Sequence, residues 1–244
     1  PKILGIGDPG AKLLARALGS SNAPHSAINE LNLTFNSISD EGVAAICESL
    51  RSNRSLGRLC LADNKITDAG AEHLARLLEV NSGLTDLSLR YNQIGCAGAA
   101  CLAEALLRNT TLTNLDLRTN KIKEDGASAI FASLRSNRAL TELDLQGNEA
   151  AFAGAEALAV SLAHNSTLQR IHLAHNSITD QGGLLLASTL GHQNHTVVQI
   201  GLTGNGLRIH TQKELTKAAS ANQMRAGWER AGVLSRAAGN ASSP

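Results

Sequence analysis

Asp144, His172 and His175 are the residues best suited by type to grip a metal ion or relay a proton. Asp144 and His172 stand 28 residues apart, which is also the spacing of the chain's leucines, so they occupy equivalent positions in neighbouring segments. A structural or catalytic metal wants more donors than this, with acceptors behind them, and none accompanies the three. The expectation is a surface ion pair between Asp144 and His172. Gly5-x-Gly7-x-x-Gly10, with Glu30 beyond it, has the outline of a dinucleotide loop, but Asp8 would set a negative charge against the pyrophosphate. His192 and His195 fall in a turn. Cys60 lies four units from the nearest histidine sharing its face, and no such histidine has a serine beside it. No catalytic residue, cofactor or metal is expected, and the chain reads as non-enzymatic.

What positions these residues is a repeat. Leu56-x-x-Leu59-x-Leu61-x-x-Asn64-x-Ile66-x-Asp68-x-Gly70-Ala71-x-x-Leu74-Ala75-x-x-Leu78-x-x-Asn81 recurs every 28 residues. Units start near 28, 56, 84, 112, 140 and 168, and one inserted residue moves the last start to 197. Leu59 and Leu61 alternate inward as a strand does, and repetition stacks such strands in parallel. Parallel strands need a crossover, and Gly70 to Leu78 has the apolar spacing of a helix. Helices are wider than strands, so stacking predicts a horseshoe: parallel strands on the concave face, helices on the convex face.

The organisation follows. Residues 1–27 form the helical half of a truncated unit, 28–210 the seven repeats, 211–238 a capping helix and 239–244 a disordered tail. Thr211 to Glu214 reads as a capping box opening that last helix. Asp8, Asp40, Asp68 and Asp180 are placed to cap the helices they precede. Cys96 and Phe152 take the aspartate's place in the units that start at 84 and 140, which predicts looser helix starts there. Ala150 replaces a buried isoleucine, and Phe152 is expected to fill the gap. Two asparagine ladders, one through Asn64 and one through Asn81, are read as scaffold that satisfies buried backbone groups.

This pattern resembles the ribonuclease-inhibitor type of leucine-rich repeat, over roughly residues 4–210. The resemblance implies an α/β leucine-rich repeat solenoid and a non-enzymatic scaffold or sensor for a protein partner. Relatives of that type include sensing regions of NOD-like receptors, the Ran GTPase-activating protein, tropomodulin-like caps and axonemal subunits. They make those roles, and a cytoplasmic place on the cytoskeleton or in a cilium, the alternatives to carry forward.

Residues two, four and six after each unit's first leucine project into the concavity. The middle of that arc is the most charged, and the partner-binding residues are expected there: Asp86, Arg90, Tyr91, Asp116, Arg118, Glu142, Asp144, Arg170 and His172. Tyr91 would be the aromatic anchor. The competing reading is that these charges pair across neighbouring strands and keep a solvated face soluble. Trp228 and Arg230 are a further possible contact on the last helix. A formal charge of +1 lacks the basic excess of a nucleic-acid binder, and no apolar run is long enough to insert in a membrane. Four cysteines without paired spacing fit free thiols. Pro1 to Leu18 enter halfway through a unit, so the chain reads as part of a longer protein or assembly.

Overall fold

A computed structural model describes residues 5–19 and 28–230, with side chains as far as 227. The chain alternates α1 (Gly7–Gly19), β1 (Glu30–Asn32), α2 (Asp40–Leu50), β2 (Arg58–Cys60), α3 (Asp68–Leu78), β3 (Asp86–Ser88), α4 (Cys96–Leu106) and β4 (Asn114–Asp116). It continues through α5 (Lys123–Ser133), β5 (Glu142–Asp144), α6 (Ala151–Leu162), β6 (Arg170–His172), α7 (Thr179–His192), β7 (Gln199–Gly201) and α8 (Ile209–Arg230). All seven strands pair in sequence order, parallel and in register, so Leu59 faces Leu87 and Leu87 faces Leu115 across the sheet. Those three leucines are 0, 2 and 1% exposed.

One continuous apolar layer lies between sheet and helices. Leu61, Leu89, Leu117, Leu145 and Leu173 enter it from the strand side, and Leu74, Leu102, Ile130, Leu158 and Leu186 from the helices. Each such side chain contributes on the order of 1.5–3 kcal/mol by leaving water, which is why no unit is stable without its neighbours. The small residues of the repeat set the helix spacing. A Cβ added at Gly98 would lie 2.7 Å from Asp68 Oδ1 and 2.9 Å from Asp68 Cα, so α4 rides directly on the first turn of α3.

Both asparagine ladders are structural. Asn64 donates from Nδ2 to the carbonyls of Leu33, Leu61 and Ala62, while its Oδ1 accepts the amides of Asn36 and Ile38. Asn81 does the same at the return turn, donating to Leu50 and Asn53 and accepting from Gly83 and Leu84. The second ladder extends into α8: Asn222, buried, donates to the carbonyls of Asn194 and Val197 at 3.0 Å each. Asn222 stands 28 residues after Asn194, so α8 packs on the array in the phase of one more half-unit.

The aspartates act differently from the expectation. Each sits in the first turn of its own helix and binds the start of the next one. Asp8 Oδ1 accepts the amides of Ser39 and Gly42; Asp40 Oδ1 accepts those of Thr67 and Gly70; Asp68 Oδ1 accepts that of Gly95. Ser39 and Thr67, at the N-cap positions, make no cap bond to their own helices, and their hydroxyls donate to the preceding aspartate instead. The helix of the unit starting at 84, α4, is therefore held normally by Asp68. The missing aspartates at Cys96 and Phe152 are felt one unit later, at α5 and α7, and the Glu124 substitution is felt at α6. There the opening residues Lys123, Ala151 and Thr179 are left-handed, with φ of 58°, 53° and 66°. Their amides turn away from the previous unit and donate forward to the carbonyls of Asn148, Asn176 and Asn205.

Two further expectations change. The gap at Ala150 is filled by Phe131, wholly buried, whose ring reaches to 3.5 Å from a Cβ added at Gly154, beside Ala150 itself. Phe131 stands where Ala75, Ala103 and Ala159 stand in other units, so a large residue in one unit offsets a small one in the next. Phe152 is half-buried and lies against Gly182 in the place an aspartate would occupy. The last helix begins at Ile209, and Thr211 lies inside it with its hydroxyl donated to Asp180 Oδ1 at 2.6 Å, so residues 211–214 do not form a capping box. Among the described residues no helix is long and apolar enough to cross a membrane.

Candidate protein-interaction face

The strand register sorts the concave residues into rows. Glu30, Arg58, Asp86, Asn114, Glu142, Arg170 and Gln199 form one; Asn32, Cys60, Ser88, Asp116, Asp144, His172 and Gly201 form the next. Neighbours in a row stand about 4.8 Å apart, close enough for opposite charges to meet and like charges to repel. The first row alternates in sign over its first three members, and Arg58 lies 3.9 Å from Glu30 and 3.6 Å from Asp86.

The second row puts two carboxylates side by side, Asp116 and Asp144. Arg118 resolves the conflict. Its guanidinium donates to both oxygens of Asp116 at 3.0 and 2.9 Å and comes within 3.2 Å of Asp144. Those hydrogen bonds to Asp116 hold the Arg118 proton more firmly than usual. Burial, with the Asp116 charge adding to it, pushes the Asp144 carboxyl above the usual range, although the Gln146 amide and Arg118 pull the other way. Ser88 donates its hydroxyl to Asp116 at 3.1 Å.

Glu142 is a second hub. Arg170 donates to its Oε2 from Nε at 2.8 Å, Asn114 donates to the same oxygen at 3.2 Å, and His172 Nε2 stands 4.0 Å from Oε1. His172 thus leans to Glu142 rather than pairing with Asp144, because Arg118 already occupies Asp144. His175 lies apart on the rim, its ring against Gly204, so the three residues with metal-binding character do not converge. The glycines of the dinucleotide-like stretch are likewise structural: Gly5 rests against the Asn36 backbone, and Asp8 is engaged by Ser39 and Gly42.

Tyr91 stands on the rim above this mesh, 50% exposed, with the Arg90 guanidinium 5.9 Å from its ring centroid. The concave trough between Glu30 and Asp144 encloses about 420 Å³ and is walled by the charged residues of the rows together with polar Asn32, Ser88 and Asn114, Cys60, and the strand leucines Leu59, Leu87 and Leu115. It is a fixed grid of donors and acceptors, suited to recognising a complementary polar surface. A cleft of about 480 Å³ lies at the end of the array between β7 and α8, where another unit would stack. The side chains of Trp228 and Arg230 lie outside the described residues. Ser88 and Asn114, concave by their place in the repeat, complete the two carboxylate hubs by donating to Asp116 and Glu142.

A family model described as "Leucine Rich repeat" matches residues 28–47, 52–75, 80–103, 108–131, 136–159 and 164–187, more than half of the chain. A solved structure of leiomodin-1 actin-binding site 2 shares 18% identity with it, covering 97% of this chain and 99% of that one at a TM-score of 0.42. The tropomodulin C-terminal domain of Caenorhabditis elegans shares 12%, covering 91% and 98%, also at 0.42. No curated protein matches the chain significantly in sequence.

Proposed function

Because the chain belongs to the leucine-rich repeat family, of the ribonuclease-inhibitor type, we propose that it is a scaffold or sensor that binds a protein partner through the centre of its concave face. Its role in this reading is recognition rather than catalysis. The contact residues are Asp86, Arg90, Tyr91, Asp116, Arg118, Glu142, Asp144, Arg170 and His172. One observation carries the reading: a half-exposed aromatic ring, faced by Arg90, stands beside an arginine held between two carboxylates. Arginines already held in place by hydrogen bonds lose little freedom on binding, and aromatic rings give large contact area at small entropic cost. The paired charges contribute little to the stability of the free protein, so the same groups remain available to complementary ones on a partner.

The test compares affinity capture by the native chain, by a Tyr91→Ala, Asp116→Arg double variant, and by a Glu104→Arg variant of the convex side. Recovered partners should be lost with the first variant and kept with the second. Unchanged recovery of every partner with the concave variant sinks the proposal.

A further inference from the structure

The chain holds three phenylalanines, one tyrosine and one tryptophan. Among the described residues Phe131 is buried and Phe152 half-buried, and the two exposed rings are Phe35, at 69%, and Tyr91. Both occupy the same position of the repeat, the turn just after the strand, with one unit between them contributing Asp63. The backbone keeps the three in step, with Phe35 donating to the Ala62 carbonyl, Asp63 to that of Arg90 and Tyr91 to that of Arg118.

Nothing in the scaffold selects aromatics here. The turn is left-handed in all three, with φ of 61°, 55° and 55°. Asn or Gly suits that conformation, and a bulky residue is strained in it. Other units place Thr119, Gly147, His175 and Gly204 at the position with the same sign of φ. Packing does not select Phe35 either, since it is exposed. The Asp63 carboxylate between the rings accepts no hydrogen bond and joins no ion pair among the described residues.

We infer that Phe35, Asp63 and Tyr91 form a cradle on the rim that receives one cationic side chain, a lysine or arginine, of the partner. Adjacent units step by about 4.8 Å, so a cation over Asp63 stands about 5 Å from the column of each ring. That lies inside the roughly 6 Å within which an aromatic face attracts a cation. The carboxylate adds the neutralising charge, and because the Arg90 guanidinium already stands 5.9 Å from the Tyr91 centroid, the incoming cation takes the Asp63 side of that ring. The inference rests on the protein-binding reading above and names the chemistry of its anchor.

The experiment records aromatic carbon–proton spectra of the whole chain titrated with N-acetyl-arginine amide and N-acetyl-trimethyllysine amide. N-acetyl-norleucine amide is the neutral control. The cations should shift the Phe35 and Tyr91 ring signals saturably, and the neutral probe should not. Asp63→Asn, which tolerates the left-handed turn, and Phe35→Ala should each weaken the cations by about 3-fold or more. Equal shifts with norleucine amide, no shifts, or an Asp63→Asn variant that binds cations as well as the native chain would overturn the cradle. These readouts need no partner, so they stand or fall apart from the capture experiment.

Discussion

Asp40 is bonded to Thr67, the residue that opens the following helix: Oδ1 accepts the Thr67 amide at 2.8 Å and Oδ2 the Thr67 hydroxyl at 2.6 Å. The carboxylate that looks like a cap for α2 is therefore a bolt between α2 and α3. Asp40→Ala should lower stability by about 1–2 kcal/mol, the cost of a lost cap that also leaves an amide unbonded. Amide exchange should accelerate at Thr67 and Gly70 rather than at the start of α2. Faster exchange confined to α2 would contradict the bolt.

The reciprocal change is a gain. Cys96→Asp together with Lys123→Ser recreates at α5 the pairing that Asp8 makes with Ser39. The double variant should raise stability by about 1 kcal/mol in urea unfolding, relative to Lys123→Ser alone. No difference between the two would mean that the left-handed start at Lys123 is as good a solution.

Gly98→Ala tests the helix spacing. Alanine favours a helix over glycine by about 1 kcal/mol. The new methyl, though, would meet Asp68 Cα at 2.9 Å and Ala71 Cβ at 2.9 Å, in a layer that cannot part without moving a helix. Overpacking of this kind costs about 1–3 kcal/mol, so net destabilisation by thermal or urea unfolding is expected. A stabilised variant would show that the helices have slack.

The carboxylates should titrate in a definite order. Burial pushes Asp8 up, but hydrogen bonds from the Ser39 hydroxyl and amide and the Gly42 amide outweigh it and leave the group below 3.8. Hydrogen bonds from the Thr211 hydroxyl and the Arg208 amide hold Asp180 below 3.8 as well. A depressed folded value means that the stabilisation is complete above 3.8 and is lost as pH falls through the folded value. Asp144 is raised, so the folded chain holds its proton longer, and between its unfolded and folded values stability falls as pH rises. Carboxyl carbon shifts should give midpoints for Asp8 and Asp180 below 3.8 and for Asp144 above it. Asp144 titrating below the other two would contradict the described environment.

Much of this was readable because a repeat makes one inference seven times. The phase of Leu59, Leu87 and Leu115 dictates which face is buried, and the amide chemistry of Asn64 and Asn81 dictates a role in satisfying backbone. The direction of the aspartate bonds was not readable. Asp40 is in the first turn of its own helix by sequence, and only the stacking distance decides that its oxygens reach Thr67 instead. Asn222 and Phe131 did carry signals, the first lying one period after Asn194 and the second breaking a column of alanines. The partners of His172 depend on where Arg118 settles, which no spacing reveals.

The claim that the inner face is the binding face is tested most directly by carbodiimide labelling of carboxylates, read residue by residue, on the chain alone and on the chain bound to its captured partner. Labelling of Asp63, Asp86, Asp116 and Glu142 should drop on binding, while Glu72 and Glu104 on the outer helices keep their reactivity. Protection of Glu72 and Glu104 with the inner carboxylates unchanged would contradict the claim.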